Sequence, residues 1–349
     1  MRFLKISNQN YTSETFSHIY IEKDALYYPL TNKITSKLNK SKIVYIDNYN
    51  EIFSRKNQNP FLQKLSPSLI LAVNKGDFIY KGSTLCHNFE QQNFYYTNFV
   101  VNCLLDCDYC YLKGMNFSSN ILFFVNLSDY FHELSRLLNV IKERPERGQG
   151  KLYLSISYDS DILLFEGIYP FLKEWIEFAE ANPQITIEIR TKTSNYKKFL
   201  NYSPLENLII TWSISPKEVI AKYEKNTPSL ERRLMAISQL LEKGWKVNLA
   251  LDPILYIGEN WRDTYKEFLN LLSVNINLKK INAITLGVFR IPVEYLKRFK
   301  KFFKSPISFF PYDTVNGVSS YPEELKSKMI EFVSSELEKI YDKRNIYIV

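Results

Sequence analysis

Glycine and proline are scarce in this sequence, 10 and 14 of 349 residues, which excludes collagen-like and low-complexity chains. No apolar run approaches the roughly 18 residues that a membrane-spanning helix needs. The longest, Ile121 to Val125 and Leu208 to Trp212, fall far short of it. The opening Met1-Arg2-Phe3-Leu4-Lys5 runs into polar residues with no apolar core behind it, so no signal peptide is read there and a cytoplasmic location is expected. No internal repeat and no Ser/Gly-rich linker divides the chain.

What is present is a globular composition, 45% hydrophobic and 23% charged. Its length suits one large α/β domain with appendages, or two domains. Basic residues outnumber acidic ones, 45 to 37, for a net charge of +8. That balance favours a polyanionic partner without naming one. Aromatics reach 15%; stacking on nucleic-acid bases is one use for them, and filling cores is the commoner one.

Six stretches rich in β-branched and aromatic residues read as strands: Phe94 to Val101, Leu152 to Ser157, Ile185 to Arg190, Leu208 to Ser213, Lys246 to Asp252 and Ala283 to Phe289. Between and after them, helical periodicity marks Asp129 to Lys142, Tyr169 to Ala181, Asn195 to Tyr202, Ser229 to Lys243, Trp261 to Ser273 and Val293 to Phe303. Gly244 stands where a helix C-terminal glycine is expected. Six βα units in a row imply a parallel sheet, open or curled into a partial barrel. In such sheets chemistry gathers at the carboxyl ends of the strands. The expected organisation is a mixed α/β region over 1–93, the βα array over 94–304, and an addition over 305–349 with an Asn316-Gly317 hairpin and a final amphipathic helix from about Pro322 to Tyr341.

The four cysteines are Cys86, Cys103, Cys107 and Cys110, and the last three form Cys-x3-Cys-x2-Cys just after the first strand. Thiols so closely spaced hold metal more often than they form disulfides in an intracellular chain. Structural zinc asks for four ligands, usually from two knuckles, and Cys86 completes such a set poorly. Three thiolates suit a 4Fe-4S cluster with one iron left open.

The run Cys103-Leu104-Leu105-Asp106-Cys107-Asp108-Tyr109-Cys110 resembles the signature of the radical S-adenosylmethionine (radical SAM) superfamily, including the aromatic before the third Cys. That resemblance implies a partial (β/α)6 barrel, SAM on the open iron, and cleavage of SAM to a 5′-deoxyadenosyl radical. A second resemblance, from about Tyr20 to Arg290, is to the spore photoproduct lyase family. It rests on Cys107-Asp108-Tyr109-Cys110-Tyr111-Leu112, Val125-Asn126-Leu127, Ser160-Asp161-Ile162, Thr191-Lys192 and Trp212-Ser213-Ile214, which match in order and at strand ends.

This resemblance implies a DNA-repair lyase that returns 5-thyminyl-5,6-dihydrothymine to two thymines, working in the spore core on UV-damaged DNA. The electron would come from a donor such as flavodoxin or ferredoxin, no membrane is involved, and the chain is expected as a monomer. Ser160, Lys192 and Ser213 would hold SAM, although a strand-end Ser also caps helices and a Lys also simply solvates a face. Tyr109 and Tyr111 would relay the radical back toward SAM. The chain departs from the family where Tyr158-Asp159 replaces a Cys and the Thr of a Thr-Ser-Asp run. Cys86 is then the only thiol outside the cluster and the favoured hydrogen donor, with Tyr158 as the alternative.

Five cations, Lys297, Arg298, Lys300, Lys301 and Lys304, face one acid, Glu294, along the helix after the sixth strand. Tyr295, Phe299, Phe302 and Phe303 would form its buried face. The helix is read as a phosphate-binding surface or a solvated face, and Arg290 at the sixth strand's end is read as reaching a lesion phosphate or carbonyl. The rival readings are a radical SAM enzyme for a peptide or RNA base, and a metal-containing nucleic-acid-binding protein.

Overall fold

Branched side chains pack well on a pleated surface that is covered on both faces, which is why parallel strands read as continuous apolar runs rather than alternating ones. In the computed structural model, which describes residues 15–83, 85, 86, 89, 91, 93–143 and 151–349, five of the six expected stretches form one strand each, whereas the expected Phe94 to Val101 breaks at Asn98-Phe99 into Phe94–Thr97 and Val100–Val101, which join different sheets. We number them β1 (Phe94–Thr97), β2 (Leu152–Ser155), β3 (Ile185–Thr191), β4 (Leu208–Ser213), β5 (Lys246–Ile254) and β6 (Ala283–Val288). Every residue of β2, β4 and β6 is buried.

The chain folds as two units. The first takes the chain up to Gly82 with Gln91–Leu104 and Leu112–Glu188; the second takes Ser83–Glu90, Leu105–Tyr111 and Ile189–Val349. In the first unit β1 pairs parallel with β2, and β2 with the start of β3, in the registers Phe94↔Tyr153 and Leu152↔Ile185. Ile79–Lys81 closes the free side of β1 antiparallel, setting Tyr80 opposite Tyr96. A second sheet in the same unit runs in the order Lys42–Ile46, His18–Glu22, Leu69–Ala72, Ile121–Phe124 and Val100–Val101. Ile121–Phe124, one of the longest apolar runs, is wholly buried there. The N-terminal strands therefore share a sheet with residues beyond 93, because short strands must pair with one another to bury their apolar faces.

In the second unit β4, β5 and β6 are parallel neighbours, and Ile346–Ile348 at the C-terminus adds a further parallel strand beside β6. The Asn316-Gly317 turn forms as expected. Its flanks pair as Val315↔Val318, and both central residues take positive φ, 50° and 78°, as a two-residue hairpin of this kind requires. Arg290–Pro292 extends the hairpin to three strands.

Helices Leu127–Lys142, Phe171–Ala181, Leu230–Lys243, Trp261–Asn275, Val293–Phe302 and Glu323–Glu338 fall within a few residues of expectation. Gly244 caps its helix in the left-handed region, φ 98°, with its N–H on the carbonyls of Leu240 and Leu241. The expected helix over Asn195 to Tyr202 is only a single 3-10 turn, Phe199–Asn201. Phe199 alone is buried among these eight residues, which is too little apolar face to hold a helix down. No helix among the described residues is long and apolar enough to cross a membrane.

Candidate active site

The cysteine segment is held by ordinary backbone chemistry. In the second unit Asp106–Cys107 pairs antiparallel with Glu224–Lys225, and Asp108 N–H donates to the Tyr223 carbonyl at 2.7 Å. Cys110 N–H turns back onto the Cys107 carbonyl at 3.2 Å, and Lys225 pairs with Asp108 at 3.4 Å.

Under this turn lies a buried ionic centre. Glu224 accepts from the Tyr109 hydroxyl, from Ser215 Oγ at 2.9 Å and from Arg233 at 2.5 Å. Arg233 is fully buried and also donates to the Ser213 carbonyl, the Pro228 carbonyl and Thr227 Oγ1 at 3.1, 3.1 and 2.7 Å. Burial pushes the Glu224 carboxyl up, but Arg233, Lys192 and the Tyr109 hydroxyl outweigh it and hold the group below its ordinary range. Burial first, and the Glu224 charge next, push the Tyr109 phenol well above its usual value. The Lys192 ammonium sits over the Tyr109 ring, 5.5 Å from its centroid. Tyr109, Lys192 and Ser213, expected from their motifs, thus converge on one network through Glu224 and Arg233. Tyr111 is half-buried in the same unit.

In the first unit, Cys103 is buried and its carbonyl accepts from Lys64. Ser160 Oγ donates at 2.6 Å to the Asn102 carbonyl, so the loop after β2 grips the residue before the first cysteine. Tyr158 stacks on Tyr96 at 4.1 Å, and Tyr96 on Tyr80 at 5.2 Å, with planes within 18° and 24° of parallel. Asp159 is buried, its Oδ1 has no hydrogen-bond partner among the described residues, and desolvation alone raises its pKa to about 7.

At the end of β6, Arg290 uses all five of its N–H donors inside the second unit. Nη1 reaches Asp252 at 2.8 Å and the Val288 carbonyl at 3.0 Å; Nη2 reaches Asp252 at 3.0 Å and the Leu85 carbonyl at 2.7 Å; Nε reaches the same carbonyl at 2.9 Å. Leu85 immediately precedes Cys86.

The model of the spore photoproduct lyase family matches residues 15–307. The chain belongs to the spore photoproduct lyase family. Curated spore photoproduct lyases similar to it come from Clostridium acetobutylicum, 26% identical over 52% of each chain, and from a Geobacillus species, 23% identical over 78% of this chain and 77% of the relative. A third, from Bacillus subtilis, is 24% identical over 73% of this chain and 72% of the relative. The match thus spans about half the length of the Clostridium relative. Among solved structures, a spore photoproduct lyase variant with dinucleoside spore photoproduct superposes with a TM-score of 0.79, at 21% identity over 95% of this chain and 98% of that one. Another, with bound AdoMet and the same dinucleoside, gives 0.77. The likeness confirms the α/β fold of the partial-barrel type.

The three closely spaced thiols are the donor set that a 4Fe-4S cluster would need. None of the four cysteines is in a disulfide, and Cys103 and Cys107 are buried while Cys110 is half-buried. Among the described residues no three His, Cys, Asp or Glu side chains gather around a single point as one ion demands. A cluster asks for something else, one thiolate on each of three separate irons.

The basic helix of the spore photoproduct lyase fold differs in detail from expectation. Its buried stripe is Leu296, Phe299 and Phe303, whereas Tyr295 and Phe302 are half-exposed. Spacings of three and four residues keep the stripe on one face, and Leu296 takes the place that the larger aromatic was expected to fill. Lys297 pairs with Glu294 at 2.8 Å, and Lys300 and Lys301 lie over the rings of Phe309 and Phe302 at 5.9 and 5.3 Å. Arg298 is half-buried.

Glu224, Arg233, Asp252, Gly287 and Tyr96 escaped the sequence reading. Only Gly287 carried a signal, since glycine inside a strand often marks a close approach. A Cβ there would meet Arg290 Nη1 at 2.6 Å and Asp252 Oδ1 at 2.8 Å.

Proposed function

We propose that this chain is a DNA-repair lyase that returns the spore photoproduct, 5-thyminyl-5,6-dihydrothymine, to two thymines. The observation that carries the reading is the intact Cys-x3-Cys-x2-Cys segment inside a family match that spans residues 15–307. Cys103, Cys107 and Cys110 would hold the 4Fe-4S cluster, and Ser160, Lys192 and Ser213 would hold SAM beside it. Bound there, the two groups supply the carbon-centred radical that takes hydrogen from C6 of the lesion.

The chain's own residues position the parts and end the reaction. The Glu224–Arg233 centre fixes Tyr109 and the Ser213 backbone, and Ser160 ties the loop after β2 to the residue before Cys103. Cys86 closes the reaction: its S–H bond breaks, a C–H bond forms on the thymine methylene, and the unpaired electron is left on sulfur. Tyr109 and Tyr111 carry that radical back. Tyr158, at the position of the family's own Cys, is the other donor.

Lys297, Arg298, Lys300 and Lys301 bind DNA phosphates, and the hairpin at Asn316-Gly317 wedges the opened duplex. The electron comes from a small donor such as flavodoxin or ferredoxin, and the protein works as a monomer. The test is an anaerobic incubation of the iron- and sulfide-loaded protein with SAM, dithionite and the dinucleoside lesion. Thymine dinucleotide is the expected product. Cleavage of SAM without any turnover of the lesion would refute the substrate and leave a peptide or an RNA base in its place.

A further inference from the structure

A hydrogen donor must wait within reach of a short-lived carbon radical, and about 1 Å of misplacement is enough to lose most of its advantage. Cys86 sits on a connecting segment rather than a strand or helix, so something must hold it still. The segment is tied in three places inside the second unit. Cys86 N–H donates to the Ser83 carbonyl and Leu85 N–H to Ser83 Oγ, both at 3.1 Å, which makes a turn. The Phe89 ring packs edge-on against Tyr347 at 5.7 Å. Between these ties the Leu85 carbonyl takes two hydrogen bonds from Arg290, at 2.7 and 2.9 Å.

Arg290 can do this because Asp252 locks its guanidinium in a two-pronged pair, and because Gly287 has no Cβ to push the pair away. We propose that Arg290 is the positioning residue for Cys86, an Arg290–Asp252 clamp at the end of β6 that fixes the hydrogen-donating thiol through the carbonyl of the residue before it. The inference rests on the reading of Cys86 as donor. Lysine cannot replace Arg290, since a single ammonium does not offer a planar fork to Asp252 and two donors to one carbonyl together.

The test compares Arg290→Met, Arg290→Lys and the milder Asp252→Asn with the parent and with Cys86→Ala. All are iron- and sulfide-loaded and assayed anaerobically with SAM, dithionite and the dinucleoside lesion in heavy water. Two ratios are read, and both are independent of overall rate: sulfinate adduct to thymine product, and product methyl groups carrying one solvent deuterium, which an exchangeable S–H delivers. In both Arg290 variants the adduct ratio rises about tenfold or more and deuterium delivery falls, with Asp252→Asn between them and the parent. Parent-like ratios in Arg290→Met and Asp252→Asn, alongside adducts in Cys86→Ala, would overturn the clamp and leave the donor reading intact. Clean, deuterated product from Cys86→Ala would instead remove the donor reading itself. If Arg290→Met does not fold, Asp252→Asn decides by the same two ratios.

Discussion

Asp159→Asn separates the charge of a buried carboxyl from its shape. Asp159 lies in the loop after β2 with one carboxylate oxygen unpartnered among the described residues, and desolvation lifts it from 3.8 to about 7. Between those values the folded protein holds a proton that the unfolded chain has released, so stability falls as pH rises through this window and levels off above it. The shift corresponds to about 4 kcal/mol lost by pH 8, an upper figure because local relaxation and entering water lower it. Asparagine cannot ionise. The variant should come close to the parent near pH 4, where both side chains are neutral in the folded protein, and exceed it by a growing margin up to pH 8. Denaturant midpoints of both proteins across pH 4–8, read as a difference, measure this directly. A difference that stays flat across the range would refute the reasoning and show that Asp159 is solvated or paired in the folded protein.

Arg233→Met strands the Glu224 charge in a dry site and should cost about 3–5 kcal/mol, read as a lowered denaturation midpoint; adding Glu224→Leu should restore much of the loss. Cys107→Ala should abolish SAM cleavage and lower bound iron, measured by metal analysis and 5′-deoxyadenosine release. Changing Lys297, Lys300 and Lys301 together to Ala should reduce the salt slope of DNA binding by roughly 0.9 per lost phosphate contact, measured as affinity against salt concentration. An unchanged slope would make the helix a solvated face.

What the sequence by itself determined was the array of strands and the spacing of three cysteines that a cluster would need. Six β-branched stretches, the Gly244 cap, the Asn316-Gly317 turn and the cysteine spacing are local features, each acting through its own backbone preference or ligand chemistry, and each is legible in a window of a few residues. Two local readings failed: the helix expected near Asn195 had too little apolar face to dock, and the strand expected over Phe94 to Val101 breaks where the chain passes from one sheet to another. Tertiary structure alone decided the rest. Glu224 meets Tyr109 across 115 residues, Arg290 meets the Leu85 carbonyl across 205, and Ile346–Ile348 finds β6 from the far end of the chain. None of these pairings leaves a periodic trace, because a buried carboxylate, a guanidinium or a two-residue bridge is satisfied by whichever partner the fold brings to it. The sequence could therefore nominate Arg290 as a strand-end cation, but only its five hydrogen bonds show that it faces Asp252 and the Cys86 segment.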